Sequence, residues 1–174
     1  MKKLFLSLLL LLPLTMMAQD DVIRSICGVR FGSNFNSCRT TLNNKYGEPL
    51  YENDGEELCY SFQSVNGLQY DFLTFTFSKS GRNTYLNQVE LEIVCETRAE
   101  ASQHLTEIVN AWSNVYDLVK KYEDDGTAYW CGGTNPLNSD RYGFIIELAR
   151  SELESYPWKA SITFGYGDGY GYGE

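Results

Sequence analysis

The chain has 174 residues, of which 14 are basic, 23 are acidic and 43% are hydrophobic. This length suits one ordinary domain or two small units that are tightly joined. A chain this acidic is repelled by phosphate backbones and anionic lipid, so the composition argues against nucleic acid and membrane surfaces as partners.

The first eighteen residues have the pattern of a secretory signal peptide. Two lysines at positions 2 and 3 precede an apolar run over residues 4–14, and Ala18 offers a cleavage point before Gln19. This run is shorter than the roughly 20 apolar residues that span a bilayer. We therefore expect an exported protein, periplasmic or extracellular, with no membrane span. Its mature part would have 12 basic and 23 acidic residues, a net charge of −11.

Residues 19–96 predict a first unit of one helix and three strands. A polar residue before position 35 can cap a helix over about residues 34–46, and Gly47 ends it. In the third strand, apolar residues alternate with Glu90 and Glu92, which indicates one dry face and one wet face. The three strands are predicted at about residues 58–62, 70–77 and 85–95.

Residues 97–165 predict a second unit of the same kind. Leu105, Ile108 and Trp112 lie at helical spacing and indicate a helix from residue 98 to about residue 121. Residues 166–174 form a tail rich in Gly and Tyr, which cannot bury enough surface to order itself alone. The three further strands are predicted at residues 127–131, 142–148 and 158–164.

The two units look like copies of one pattern. Residues 51–55 (YENDG) match residues 122–126 (YEDDG) without a gap, and later strands match at an offset that drifts only from 71 to 73. We therefore predict an α+β fold of two αβββ repeats. Their strands would form one fused antiparallel sheet or two closely packed sheets, with the helices packed on one face.

The opening of the first unit, GVRFGSNFNSCRTTLNNKYGEP, resembles the start of small exported bacterial domains with an FGxS-like turn, a short helix and a YGxP stop. Tandem helix-plus-sheet units of this kind resemble the fold shared by the β-lactamase inhibitor protein and the outer-membrane assembly lipoprotein of the BamE type. The resemblance implies the fold alone. This chain has one predicted helix per unit where those folds have two, it lacks a lipobox cysteine, and no inhibitory residue can be mapped onto it.

Five cysteines lie in the predicted mature part, where an oxidising environment favours disulfides. Cys38 and Cys95 both point inward in the predicted elements, so a disulfide from helix to sheet is one hypothesis. Cys27 with Cys38 is the competing choice, and Cys59 with Cys131 could join the two units. One thiol at least is left over, and connectivity cannot be deduced from sequence.

No pattern in the sequence indicates a metal or cofactor. The cysteines lack CxxC spacing, and the single His104 lies beside a helical apolar stripe, so zinc is not predicted. The acidic residues over 52–57 and 123–125 lack EF-hand spacing, and we interpret them as solvated turns rather than calcium sites. His104 with a cysteine and a carboxylate would form a nucleophilic site, but no motif places a cysteine near it.

Aromatic residues crowd the second unit, and exposed rings can stack on sugars or anchor a protein partner. We select Tyr129, Trp130 and Tyr142 as candidate binding residues, and expect Trp112 and Trp158 to fill the core. The sequence thus predicts a non-catalytic binding module, without cofactor, that recognises a protein or carbohydrate partner in the cell envelope. A small secreted hydrolase and a structural envelope protein are the alternatives.

Overall fold

The computed structural model describes residues 21–53, 55–80 and 82–165, so the predicted signal peptide and the Gly/Tyr tail lie outside the described residues. Among the described residues, 49% are in strands and 20% in helices. The elements in chain order are β1 (Ser25–Ile26), β2 (Val29–Arg30), α1 (Phe35–Tyr46), β3 (Tyr51–Asn53), β4 (Glu57–Val65), β5 (Leu68–Ser80), β6 (Asn83–Cys95), α2 (Arg98–Ser113), β7 (Val119–Tyr122), β8 (Ala128–Thr134), β9 (Tyr142–Arg150) and β10 (Trp158–Gly165).

Eight of these strands form one antiparallel sheet in the order β3-β4-β5-β6-β10-β9-β8-β7. The central pair joins β6 to β10 from Trp158 opposite Cys95 to Gly165 opposite Gln88. β1 and β2 form a separate hairpin. The predicted boundary between units, at residues 96–97, therefore falls between two parts of the chain that each contribute four strands to a single fused sheet.

The prediction of an α+β fold built from two αβββ repeats is wrong, because the described chain is mostly β, with ten strands and an eight-stranded sheet. Two segments that we assigned to a turn and to a helix are edge strands. Tyr51–Asn53 pairs with β4, and Val119–Tyr122 pairs with β8. Each follows a helix closely and returns through a short turn, so pairing satisfies backbone groups that a loop would leave to solvent.

The ends of the helices explain part of this difference. α1 begins after its cap Asn34, whose Oδ1 accepts from the Ser37 amide at 2.9 Å, and it ends at Gly47 with φ 85°, as predicted. α2 ends at Ser113 rather than near residue 121. The amides at positions 115 and 116 both bond to the Trp112 carbonyl oxygen at 3.0 Å, which closes the last turn early.

Both helices pack into one hydrophobic core on the same face of the sheet. Trp112 of α2 is buried, contacts the rings of Phe144 and Phe164, and donates from Nε1 to the Tyr70 hydroxyl at 3.1 Å. Trp158, which we expected in the core, is half-buried. Within the described residues neither helix has the length and apolar composition needed to cross a bilayer.

Candidate functional site

The helix-free face of the sheet carries a groove of about 460 Å³ beside the loop that joins β9 to β10. We call it the acidic groove. Outward-facing side chains of β4, β5, β6 and β10 form its floor, and the end of β9 with the following loop forms one wall. It is lined by Glu57, Cys59, Phe72, Thr74, Thr76, Glu90, Glu92, Val94, Arg150, Ser151, Glu152, Leu153 and Lys159.

Strand alternation places these side chains on one face. Thr74 of β5 lies opposite both Cys59 of β4 and Glu90 of β6, and the next outward row pairs Phe72 with Glu92. Cross-strand partners in a sheet point to the same face, so the wet side of β6 becomes the floor of the groove. The sequence predicted that wet side, whereas the neighbouring strands are brought to it by the fold.

Lys159 of β10 lies between two carboxylates on that floor. Its Nζ is 2.7 Å from Oε1 of Glu90 and also bonds to Oε1 of Glu92. Burial, then the Glu90 charge, raises the pKa of Glu92 to about 7 against the opposing effect of Lys159. Burial lowers the pKa of Lys159, but its bonds to both glutamates outweigh this and leave that pKa raised.

A third carboxylate and a buried hydroxyl extend this cluster across β10 and β9 on the same face of the sheet. Ser161 lies opposite Glu92 on one side and Glu147 on the other. Burial, then the Glu90 charge, raises the pKa of Glu147. Ser161 is fully buried, and its Oγ has no hydrogen-bond partner among the described residues. The cluster is therefore an unusually dehydrated set of carboxylates with one lysine among them.

A wider depression of about 720 Å³ lies beside the start of α1. Its lining is mostly Asn, Ser and Gly, and the amides of Ser37 and Phe35 already have partners. The Asn34 side chain accepts from Ser37, and the Thr84 hydroxyl accepts from the Phe35 amide at 3.4 Å. Cys59, Glu92 and Lys159, whose pKa values are shifted, line the acidic groove and not this depression.

The predicted binding residues lie elsewhere and do not form one patch. Tyr129 and Trp130 are consecutive in β8, so their side chains point to opposite faces of the sheet. Trp130 packs partly against the core, with Lys120 Nζ 5.1 Å from its ring centroid. Tyr142 has Lys121 Nζ 4.8 Å from its ring centroid. None of the three lines the acidic groove.

All five cysteines are free thiols. Cys59 and Cys131 occupy the same row across the sheet, but five strand spacings, about 24 Å, separate them. A disulfide requires Cα atoms within about 7 Å. The two thiols therefore cannot bond within one chain.

The other two proposed disulfides are absent as well. The segment leading into α1 bonds to Leu86 near the start of β6, whereas Cys95 ends that strand about 30 Å away, so Cys38 is far from Cys95. The Cys27 carbonyl oxygen accepts from Lys45 Nζ at 3.2 Å, near the C-terminal end of α1. Cys38 lies on α1 about two helical turns before Lys45.

The structure does bring His104 to a cysteine and a carboxylate, which the sequence did not predict. Cys95 is the last residue of β6, and Glu100 and His104 follow on α2 at helical spacing. One ligand atom of each lies within 4.8 Å of the others. His104 Nδ1 is 2.8 Å from Oε2 of Glu107. The signal in the sequence was a cysteine just before a helix whose first turns place Glu and His four residues apart.

This cluster lacks the electrostatics of a cysteine nucleophile. Burial, then the charges of Glu100 and Asp71, raises the pKa of the Cys95 thiol to about 11. Catalytic cysteines need the opposite shift, since the thiolate is the nucleophile. The geometry of a hydrolase site is thus partly present, but its nucleophile is held in the protonated form.

The acidic turns use their carboxylates locally. Glu52 forms an ion pair with Arg39 at 2.7 Å, Glu56 pairs with Lys79, and the Asp125 carboxylate accepts from the Thr127 amide at 2.8 Å. Glu56 and Asp125 lie in turns, as predicted, whereas Glu52 lies in the edge strand β3.

No protein-family model, curated protein or solved structure matches the chain. The resemblance to the β-lactamase inhibitor protein and BamE-type fold therefore stays a prediction. Fold and site together define a mostly β protein with one helix-covered sheet face and one grooved, acidic face.

Proposed function

We propose that this protein is an exported, non-catalytic binding module that holds a basic segment of a protein partner in the acidic groove. A lysine or arginine of the partner would enter beside Glu90 and Glu92. The observation that carries the proposal is the dehydrated carboxylate cluster on the floor of a groove with an open face.

The charge balance of the groove favours a cationic ligand. Four glutamates line it, against Lys159 and Arg150. The Arg150 guanidinium lies over the Trp158 ring at 3.8 Å, and Lys159 is already bonded to two of the glutamates. Two negative charges remain in excess when all the carboxyls are ionised. The acidic character of the whole chain would add to the attraction of a basic partner and speed its encounter.

The groove also offers apolar surface. Phe72 and Val94 contribute to its floor, and Leu153 on the loop is 43% exposed. Lysine and arginine side chains combine an apolar stem with a charged tip, so each could cover this surface while its tip reaches the carboxylates. A glycan would need open aromatic faces. Trp130 and Tyr142 carry lysine amines over their rings, and the exposed aromatic residues lie outside the groove, so the groove itself favours a protein partner.

The test is selection of peptides from a random display library against the protein without its predicted signal peptide. We expect enriched peptides to carry lysine or arginine, and the double variant Glu90→Gln/Glu92→Gln to lose at least about tenfold in affinity for them. Glu96→Gln, an exposed residue outside the groove, is the matched control and should bind normally. The proposal would be refuted if the enriched peptides lacked lysine and arginine. It would also be refuted if Glu90→Gln/Glu92→Gln bound the peptides as tightly as Glu96→Gln. Specific binding on a glycan array combined with no selected peptide would refute it as well.

A further inference from the structure

We propose that Cys95, Glu100 and His104 form a zinc-binding site at the junction of β6 and α2. The site is separate from the acidic groove, and it does not depend on the proposed partner. It rests on the placement of three chemically different metal ligands by two rigid elements.

The backbone fixes the positions of all three ligands. Cys95 is the last residue of the central strand β6 and is paired with Trp158 of β10. Two residues later, Thr97 caps α2, with its Oγ1 accepting from the Glu100 amide at 3.2 Å. Residues four apart on a helix share a face, so Glu100 and His104 lie one above the other beside the strand end.

The separations suit a small ion. Ligands at zinc's usual bond lengths and tetrahedral angles lie about 3.4–3.6 Å from one another. The three ligand atoms here lie within 4.8 Å of one another, so closure needs movements of only about 1 Å. Glu100 is exposed and His104 is partly exposed, so both side chains have room to move and the ion can enter from solvent. Cys95 is 1% exposed and supplies the fixed ligand.

Glu107 gives the histidine a supporting contact that is typical of metal sites. Its Oε2 lies 2.8 Å from His104 Nδ1, which leaves Nε2 as the nitrogen for the ion. Metal-bound histidines usually donate their other ring N–H to a carboxylate in this way, and that contact sets the tautomer and the ring orientation.

The donor set selects the metal class. Sulfur and imidazole ligands favour zinc over calcium and magnesium, which take oxygen ligands. Three protein ligands leave a fourth tetrahedral position for water. Bound zinc would tie the end of the central strand to the first turns of α2.

The experiment uses reduced, chelator-treated protein. Zinc is titrated by calorimetry, and cobalt(II) serves as a spectroscopic probe because a thiolate ligand gives it a charge-transfer band in the near ultraviolet. We expect one zinc per chain, and a cobalt band that zinc abolishes. Glu107→Gln should weaken zinc binding about 10- to 100-fold, and His104→Gln should weaken it more. Both residues are at least partly exposed, so these variants should keep the fold.

Cys59→Ser is the matched control, since this thiol lies in the acidic groove. The proposal is overturned if cobalt gives no thiolate band, if the band is lost in Cys59→Ser but kept in Cys95→Ser, or if His104→Gln binds zinc as tightly as the unaltered protein. Zinc binding should be unchanged in Glu90→Gln/Glu92→Gln, so this site and the acidic groove can fail independently.

Discussion

Replacing Glu92 by glutamine should make the protein's stability less dependent on pH. The folded chain holds the Glu92 carboxyl at a pKa of about 7, against 4.5 in the unfolded chain. Between these values the folded state binds the proton more tightly than the unfolded state does. The carboxyl therefore favours folding fully below pH 4.5, and this contribution is lost as the pH rises to about 7.

The size of the effect follows from the shift in pKa. Each unit corresponds to 1.36 kcal/mol, so the shift corresponds to about 3 kcal/mol in the free energy of unfolding. The Glu92 side chain is 17% exposed, so solvent screening reduces this value only modestly. Other carboxyls titrate in the same range, but they do so in both proteins. The difference between wild type and Glu92→Gln therefore reports Glu92 together with its interactions with Glu90 and Lys159.

Urea unfolding at pH 4.5 and pH 7.5 measures that difference. We expect the stability of wild type relative to Glu92→Gln to fall by about 3 kcal/mol between the two values. Glu154→Gln, in the exposed β9–β10 loop, is the matched control and should follow wild type at both. If the stability of wild type and of Glu92→Gln depended equally on pH, burial would not raise the pKa of Glu92.

Three further predictions concern the groove, the core and the thiols. A basic peptide selected by the groove should bind about tenfold more tightly at pH 8 than at pH 6, because Glu92 ionises over this range; flat affinity would count against its role. Gly143→Ala should cost about 1–3 kcal/mol in thermal or urea unfolding, because the added Cβ would lie 2.4 Å from Cγ1 of Ile23; unchanged stability would contradict this packing. Alkylation of the unreduced, denatured protein should modify five thiols by mass spectrometry, whereas fewer would reveal a disulfide.

The sequence correctly predicted α1 and β6, because short stretches of sequence define these two elements. The polar residue before α1 and Gly47 after it set the bounds of that helix, and the alternation in β6 gave its wet and dry faces. The edge strands were missed because three or four residues carry too little periodicity to separate strand from turn. The end of α2 was missed because Val115 and Val119 continue the helical spacing, while backbone bonds to Trp112 close the helix earlier.

The site could be predicted only in part, since its chemistry depends on strand order. Glu90 and Glu92 were recognisable as an outward pair, but their meeting with Lys159 requires β10 to lie beside β6 across more than sixty residues of sequence. We selected the aromatic candidates because the second unit is rich in aromatic residues, without regard to the direction of their side chains. Tyr129 and Trp130 are consecutive on β8, so they point to opposite faces of the sheet. The cluster around His104 lies within ten residues. It was missed because the cysteine comes from the strand before the helix.

The most direct test of the binding proposal is to map the amide chemical shifts of the protein by NMR as a selected basic peptide is added. We predict that the largest changes fall on residues 57–59, 72–76, 90–94 and 150–159, which line the acidic groove or lie between its lining residues. Amides of α1 and α2 should change little. Changes centred on β8 and the start of β9, around Tyr129 and Tyr142, or on the helices would contradict the assignment of the groove as the binding surface.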